Sequence, residues 1–350
     1  MTPAVSRRRG IRVATMLVLL ALLIVCGVVA VMVGPSGQPL PAVMQALADG
    51  VRASLGGQPA PSTPLHTIVL EIRLPRVFLG CLVGACLALS GSVMQALFQN
   101  PMADPYIVGV SGGASLGAVA AMMLGLDVAV AGFTAIPLMA FAGALATTVL
   151  VYILAQRGGR IQTATLLLTG IAIGSMVSAV TALLMLSRDE LQSAAIFWIL
   201  GSLSGRGWQH VYALIPQFIL ALGMAMFMAR PLNVLLMGDE AAGSVGLDVQ
   251  RTKRWLLALS SLLAAAAVAV SGVIGFVGLI VPHVCRLIVG PDHRVLLPVS
   301  ALAGALLMVL ADIPARLALA PAELPIGIIT SLLGCPFFLY LLHRQGTRGL

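Results

Sequence analysis

The stretch WLLALSSLLAAAAVAVSGVIGFVGLIVPHVCRLIV, Trp255–Val289, decides the fold class. It runs for 35 residues with a single charged side chain, Arg286. As one helix rising about 1.5 Å per residue it would reach about 52 Å, against a hydrocarbon core of about 30 Å. Gly272, Gly275, Gly278 and Pro282 interrupt it, so it reads as two crossings, 255–274 and a shorter 276–290. Working outward, further apolar spans lie near 11–33, 74–98, 106–126, 132–155, 161–186, 208–229, 295–319 and 324–342, which makes ten. Segment 194–204 is too short to cross and is read as interfacial or re-entrant.

Composition agrees. Of 350 residues, 59% are hydrophobic and 9% charged, where a soluble domain carries about 25% charged residues. Disorder requires low hydrophobicity and high net charge, the opposite of this chain. The expectation is an all-α polytopic membrane protein with about ten transmembrane helices, residues 1–350 forming a single domain. The net charge is +8, and Lys253 is the sole lysine among 20 basic residues. No basic cluster is interleaved with aromatic residues, which excludes a nucleic-acid partner. The five cysteines lie singly in or beside apolar runs and read as packing residues.

Charge sets the expected topology. With ten spans and both termini cytoplasmic, fourteen Lys and Arg residues fall inside and six outside, the bias of an inner-membrane protein. The 21-residue run Val13–Val33 exceeds a signal-peptide core and is kept as the first span. The long connection 34–72 then lies on the periplasmic side, with Ala42–Leu55 a surface helix. The polar stretch 230–254 lies in the cytoplasm.

Much chemistry is excluded. There is no GxxxxGK[ST] phosphate loop, since Lys253 follows Thr252. HExxH and clustered acidic motifs are missing, so no catalytic residue is assigned, and the five scattered histidines make no metal site. An ion-coupled secondary transporter would need an acid or base at membrane depth. Spans 106–126, 132–155, 161–186 and 208–229 carry none away from their ends. An integral membrane enzyme has equally little to build on. A transporter made from this chain draws its energy from elsewhere.

Three sets of residues rise above the apolar background. One is Arg73-Leu74-Pro75-Arg76, leading to Gln95 and to Asn100-Pro101-Met102-Ala103-Asp104-Pro105. Another is Gly238-Asp239-Glu240-Ala241-Ala242 with Gly246. The last is Gly275-Phe276-Val277-Gly278-Leu279 with Pro282-His283, followed by Asp292-His293-Arg294 and Glu323-Leu324-Pro325-Ile326-Gly327. Together, from about Ile72 to Leu342, they resemble the permease subunits of ATP-driven importers for iron–siderophore complexes, haem and vitamin B12. Ala311–Leu333 is especially similar to the vitamin B12 permease. Pro314 and Gly243 depart from the family pattern.

The resemblance implies a type II ABC importer permease that works by alternating access as a homodimer in the lipid bilayer. Two cytoplasmic ABC ATPases would carry the ATP and Mg, a periplasmic or lipid-anchored binding protein would deliver substrate, and this chain would bind no cofactor. The expected cargo is a metal chelate, a ferric siderophore first, with vitamin B12 or haem as alternatives. By the same resemblance Gly238, Asp239, Glu240, Ala241, Ala242 and Gly246 form the coupling helix that meets the ATPase. Arg73, Arg76 and Arg316, near the outer ends of spans, would pair with carboxylates of the binding protein; residue chemistry alone also allows headgroup anchoring, or an Arg316–Asp312 pair unless Pro314 breaks the helix. Thr163 and Ala164 would lie at the cytoplasmic gate. The weakly polar face of 161–186, with Thr169, and the uncharged Gln95 are candidates for the translocation path. The glycine repeats Gly80xxxGly84, Gly109xxxGly113xxxGly117 and Gly170xxxGly174 let helices approach closely.

Overall fold

A computed structural model describes residues 3–34, 37–56, 63–126, 134–158 and 160–346. Arg348 and the start of the 132–155 span lie outside these. The described residues are almost entirely helical: α1 Pro3–Met32, α2 Leu40–Gly56, α3 Pro64–His66, α4 Leu74–Leu97, α5 Val110–Met123, α6 Ala135–Ala155, α7 Thr163–Leu186, α8 Asp189–Ile199, α9 Trp208–Phe227, α10 Ala229–Leu235, α11 Asp239–Ser244, α12 Val249–Ser271, α13 Val277–Val289, α14 His293–Leu317 and α15 Ile326–Gly346. Among them seven helices are long and apolar enough to cross a bilayer, and Val110–Met123, Val277–Val289 and Ile326–Leu341 are shorter apolar helices. Seven and three recover the ten apolar segments, although α5 and α13, at about 1.5 Å per residue, are too short to span alone.

The connection 34–72 is more helical than expected. Its surface helix is present as α2, but the chain becomes helical again at Pro64, ten residues before the expected span. Thr63 caps this start, its hydroxyl accepting from the His66 N–H, and Pro64 sits at a position where its missing N–H costs nothing. Thr67–Arg73 continues as a π-helix directly into α4. A proline inside an α-helix lacks a donor and crowds the carbonyl four residues back. The wider π turn ahead of Pro75, in which Leu74 donates to Val69, relieves that crowding.

Helix α4 is the axis of the bundle, packed against α14, α12, α13 and α9. Of its most apolar window 83% is buried, against 78% for α12, 22% for α7 and 11% for α1, so α1 and α7 are peripheral. Close approach rests on glycine. A Cβ at Gly84 would strike the Gly304 backbone of α14 and the reverse holds at Gly304; Gly91 meets Gly278 of α13 in the same way. Gly113 and Gly117 let α5 touch α6 at Gly143 and Met139, and Gly170 meets Ile107. Gly80 and Gly174 do not belong to this set. The former has only the Leu203 side chain near it and the latter opens on free space.

The long apolar stretch breaks as expected, between Ser271 and Val277. Irregular backbone at membrane depth must find partners inside the protein. Here the Tyr106 hydroxyl donates to the Ile274 carbonyl at 3.0 Å and accepts from the Ile274 N–H at 3.3 Å. Ser202 N–H donates to the Ser271 carbonyl at 2.7 Å, drawing the turn after α8 onto the break. Segment 194–204 is therefore a short helix end and turn packed on the bundle, with Trp198 buried.

Replacing Gly84 with valine puts methyl groups into the α14 backbone and is expected to cost about 1–3 kcal/mol or prevent assembly. Gly174→Ala, facing open space, is expected to be nearly neutral. Thermal unfolding of the two variants in detergent checks the difference.

Candidate functional site

Two ends of the molecule carry its chemistry. The first is the segment between α10 and α12. Gly238, at φ +95°, and Gly246, at φ +88°, adopt backbone angles closed to most side chains, and they turn the chain into and out of α11. Gly246 and Leu247 N–H groups close the helix on the Gly243 and Ala242 carbonyls. Asp248 caps α12, its carboxylate accepting from the Arg251 N–H at 2.9 Å. The acids Asp239 and Glu240 occupy the first turn of α11. The expected loop 230–254 is thus mostly helical, with α10, α11 and the start of α12 inside it.

This short helix is held from both sides. Asp239 accepts from Gln99, just beyond α4, at 3.0 Å, and its other oxygen pairs with Lys253 of α12. Lys253 is 2% exposed and Ala242 fully buried, so α11 is pinned by one ion pair and one small apolar contact. Glu240 remains exposed, flanked by exposed Met237 and Val245. Thr163 and Ala164 lie close by: with Gln162, Asp239, Glu240, Leu247 and others they line a cleft of about 690 Å3. The Ile161 N–H donates to the Gln250 side chain at 2.8 Å, which ties the start of α7 to α12.

Along α7 a second groove, of about 510 Å3, runs between Tyr106, Gly109, Ser111 and Gly112 on one side and Gly170, Gly174, Ser175 and Ser178 on the other. Its walls are small and weakly polar. Thr169 adjoins this groove in sequence but is not in its lining. Gln95 faces elsewhere. It is 2% exposed, and its amide donates to the Leu279 carbonyl of α13 at 2.9 Å. The expectation that Gln95 faces the path does not hold, because the α4–α13 contact encloses it.

The opposite end holds Arg73, Arg76 and Arg316, exposed by only 5%, 6% and 3%. They do not project outward as expected. Arg76 donates to Asp312 through Nε and Nη2, at 3.0 and 2.9 Å, and to both Glu323 oxygens at 2.9 Å. Arg316 pairs with Asp312 at 3.0 Å one helical turn away, and α14 continues unbroken through Pro314. Arg73 donates to the Val31 and Met32 carbonyls, and Arg316 to those of Ala30 and Val33. The last carbonyls of a helix have no partners within it and carry its negative dipole end. Two guanidiniums therefore cap α1. Their inward direction follows from this: orphan carbonyls and a carboxylate 2% exposed outcompete water for the donors.

Sequence reasoning did not assign functional weight to Gln99, Lys253 or Glu323, whose partners lie 140, 14 and 247 residues away. Only the Asp312–Arg316 spacing of four residues was visible. Arg76→Met would take one of two cations from Asp312 and the ion-pair partner from Glu323, and is expected to cost about 3–5 kcal/mol, with Arg76→Met/Glu323→Gln recovering part of it. A double-mutant cycle on unfolding free energy measures this. The exposed Arg52–Asp49 pair is the control, expected to couple by under about 1 kcal/mol.

Comparison with known proteins completes the assignment. The profile of the FecCD transport family matches residues 22–344. The cobalamin import system permease protein BtuC of Halobacterium salinarum is 48% identical over 92% of this chain and 84% of its own. The hemin transport system permease protein HmuU of Yersinia pestis is 44% identical over 79% of this chain and 84% of its own. A solved inward-facing structure of a metal-chelate type ABC transporter superposes with a TM-score of 0.78 at 29% identity, covering 94% of this chain and 98% of that one. The chain belongs to the FecCD transport family: it is a multi-pass membrane permease subunit of an ABC importer for metal chelates, a transport component and not an enzyme.

Proposed function

We propose that this permease works as a homodimer, with two ATPase subunits at the end carrying α11 and a binding protein at the end carrying Glu323. The single observation that bears most of this reading is the exposed face of α11. Glu240, Met237 and Val245 present one charge and apolar surface, while Asp239 and Lys253 fasten the helix to α4 and α12. A load applied to that face passes directly to the central helix. Thr163 and Ala164, sharing a cleft with Asp239 and Glu240, stand where such a movement would open or close a path along α7. Orientation follows: α11 and both termini in the cytoplasm, with ATP and Mg held by the ATPases. Arg73, Arg76 and Arg316 then support the binding-protein seat from beneath, by capping α1 and holding Glu323.

For the cargo we propose a cobalamin-type corrinoid, ahead of the ferric siderophore that the motifs alone favoured. The support is the 48% identity to the halobacterial cobalamin permease over most of both chains. The groove along α7, with glycine and serine walls and no charged side chain, suits a bulky neutral chelate that must pass without being gripped.

The test is ATP-driven uptake into proteoliposomes of cobalamin, ferric hydroxamate and haem, each with its candidate binding protein and ATPase. Cobalamin uptake alone is the expected result. Equal or greater uptake of ferric hydroxamate or haem overturns the cargo assignment. Glu240→Arg is expected to reduce uptake at least about tenfold through loss of a desolvated contact at the ATPase. Unchanged uptake would remove α11 from the coupling role.

A further inference from the structure

Apart from the coupling cleft and the α7 groove, one concavity combines cations, aromatic rings and an apolar wall. It lies between α6 and the first turns of α12, holds about 480 Å3, and is bordered by Tyr152, Arg251, Arg254, Trp255, Val149 and Leu257. Arg251 and Arg254 are three residues apart on a helix and so share a face. Both are exposed. Among the described residues neither has a carboxylate within ion-pair distance. The nearest acid in sequence, Asp248, is occupied as the helix cap. Trp255 and Tyr152 are the residue types that settle at the boundary between headgroups and hydrocarbon. Val149, 54% exposed, and Leu257 continue the wall toward the apolar interior of the membrane.

The order along this groove is therefore cation pair, aromatic belt, hydrocarbon. We infer that it seats an anionic glycerophospholipid of the adjacent leaflet, with the phosphate between Arg251 and Arg254 and an acyl chain along Val149 and Leu257. Guanidinium groups bind phosphate oxygens in pairs through charge-assisted hydrogen bonds. Two unneutralised arginines favour a lipid with net negative charge over one whose own amine cancels its phosphate. A soluble anion would use the arginines and leave the apolar wall bare. The seat also adjoins the helix that carries Lys253, so an occupied groove braces the attachment of α11.

Trp255 provides the readout. In full-length permease carrying Trp198→Phe and Trp208→Phe, its fluorescence is followed in vesicles with brominated phosphatidylglycerol or brominated phosphatidylcholine. Quenching is expected to show about a tenfold preference for phosphatidylglycerol. The preference should fall to near unity in Arg251→Gln/Arg254→Gln and persist in Arg251→Lys/Arg254→Lys. Equal quenching by the two lipids, or an unchanged preference in the glutamine variant, overturns the proposal. Loss of the preference on adding millimolar inorganic phosphate does so too, and identifies a site for a soluble anion. Should the variants fail to fold, lipid retention by the unaltered protein in native mass spectrometry decides: more phosphatidylglycerol than phosphatidylcholine supports the seat, and equal retention sinks it.

Discussion

The contact of bare backbone between α4 and α14 at Gly84 and Gly304 is the constraint on which the rest of the molecule depends. Lipid tails are as apolar as leucine, so helices in a bilayer gain little by hiding apolar side chains from one another. What holds them is close van der Waals approach, and that requires the absence of a Cβ. Gly91 against Gly278 repeats the arrangement one level along α4. With α14 and α13 seated there, α4 becomes a rigid shaft that reaches both ends of the protein.

Each end of that shaft is fastened by charge. At one, Arg76 joins α4 to Asp312 of α14 and to Glu323. At the other, Gln99 meets Asp239 of α11, which Lys253 holds from α12. A buried ion pair such as Arg76–Asp312 adds little net stability against well-packed apolar residues, but breaking it leaves a costly orphan charge, as does taking the half-exposed Asp239 from the buried Lys253. They therefore act here as registry pins. The short helix α11 and the opposite rim are held in fixed relation to the same central element.

The periphery contrasts with this core. α7 is mostly exposed, and its glycine and serine face borders a shallow groove with no charged side chain. Gln95, polar but enclosed, satisfies the Leu279 carbonyl where α13 packs on α4. The weakly polar residues thus divide into those that seal the core and those left open along α7.

Composition and hydropathy alone determined that this is a helical membrane protein with ten apolar segments, because insertion into a bilayer depends on local runs of residues. The turn positions of Gly238 and Gly246, the acidic first turn of α11 and the break after Ser271 were equally legible, being properties of neighbouring residues. The early helical start at Pro64 was hidden, since Arg73-Leu74-Pro75 reads as a beginning unless the π turn before it is known. Tertiary structure alone decided where the few charges point. Arg73 looks like a surface arginine in sequence, and the arrival of the α1 carbonyls turns it inward; Arg316 is held by those carbonyls together with Asp312. Arg76 finds Asp312 and Glu323 more than 230 residues away. Which donor meets which acceptor is fixed by helix packing, and no local pattern in the chain encodes it.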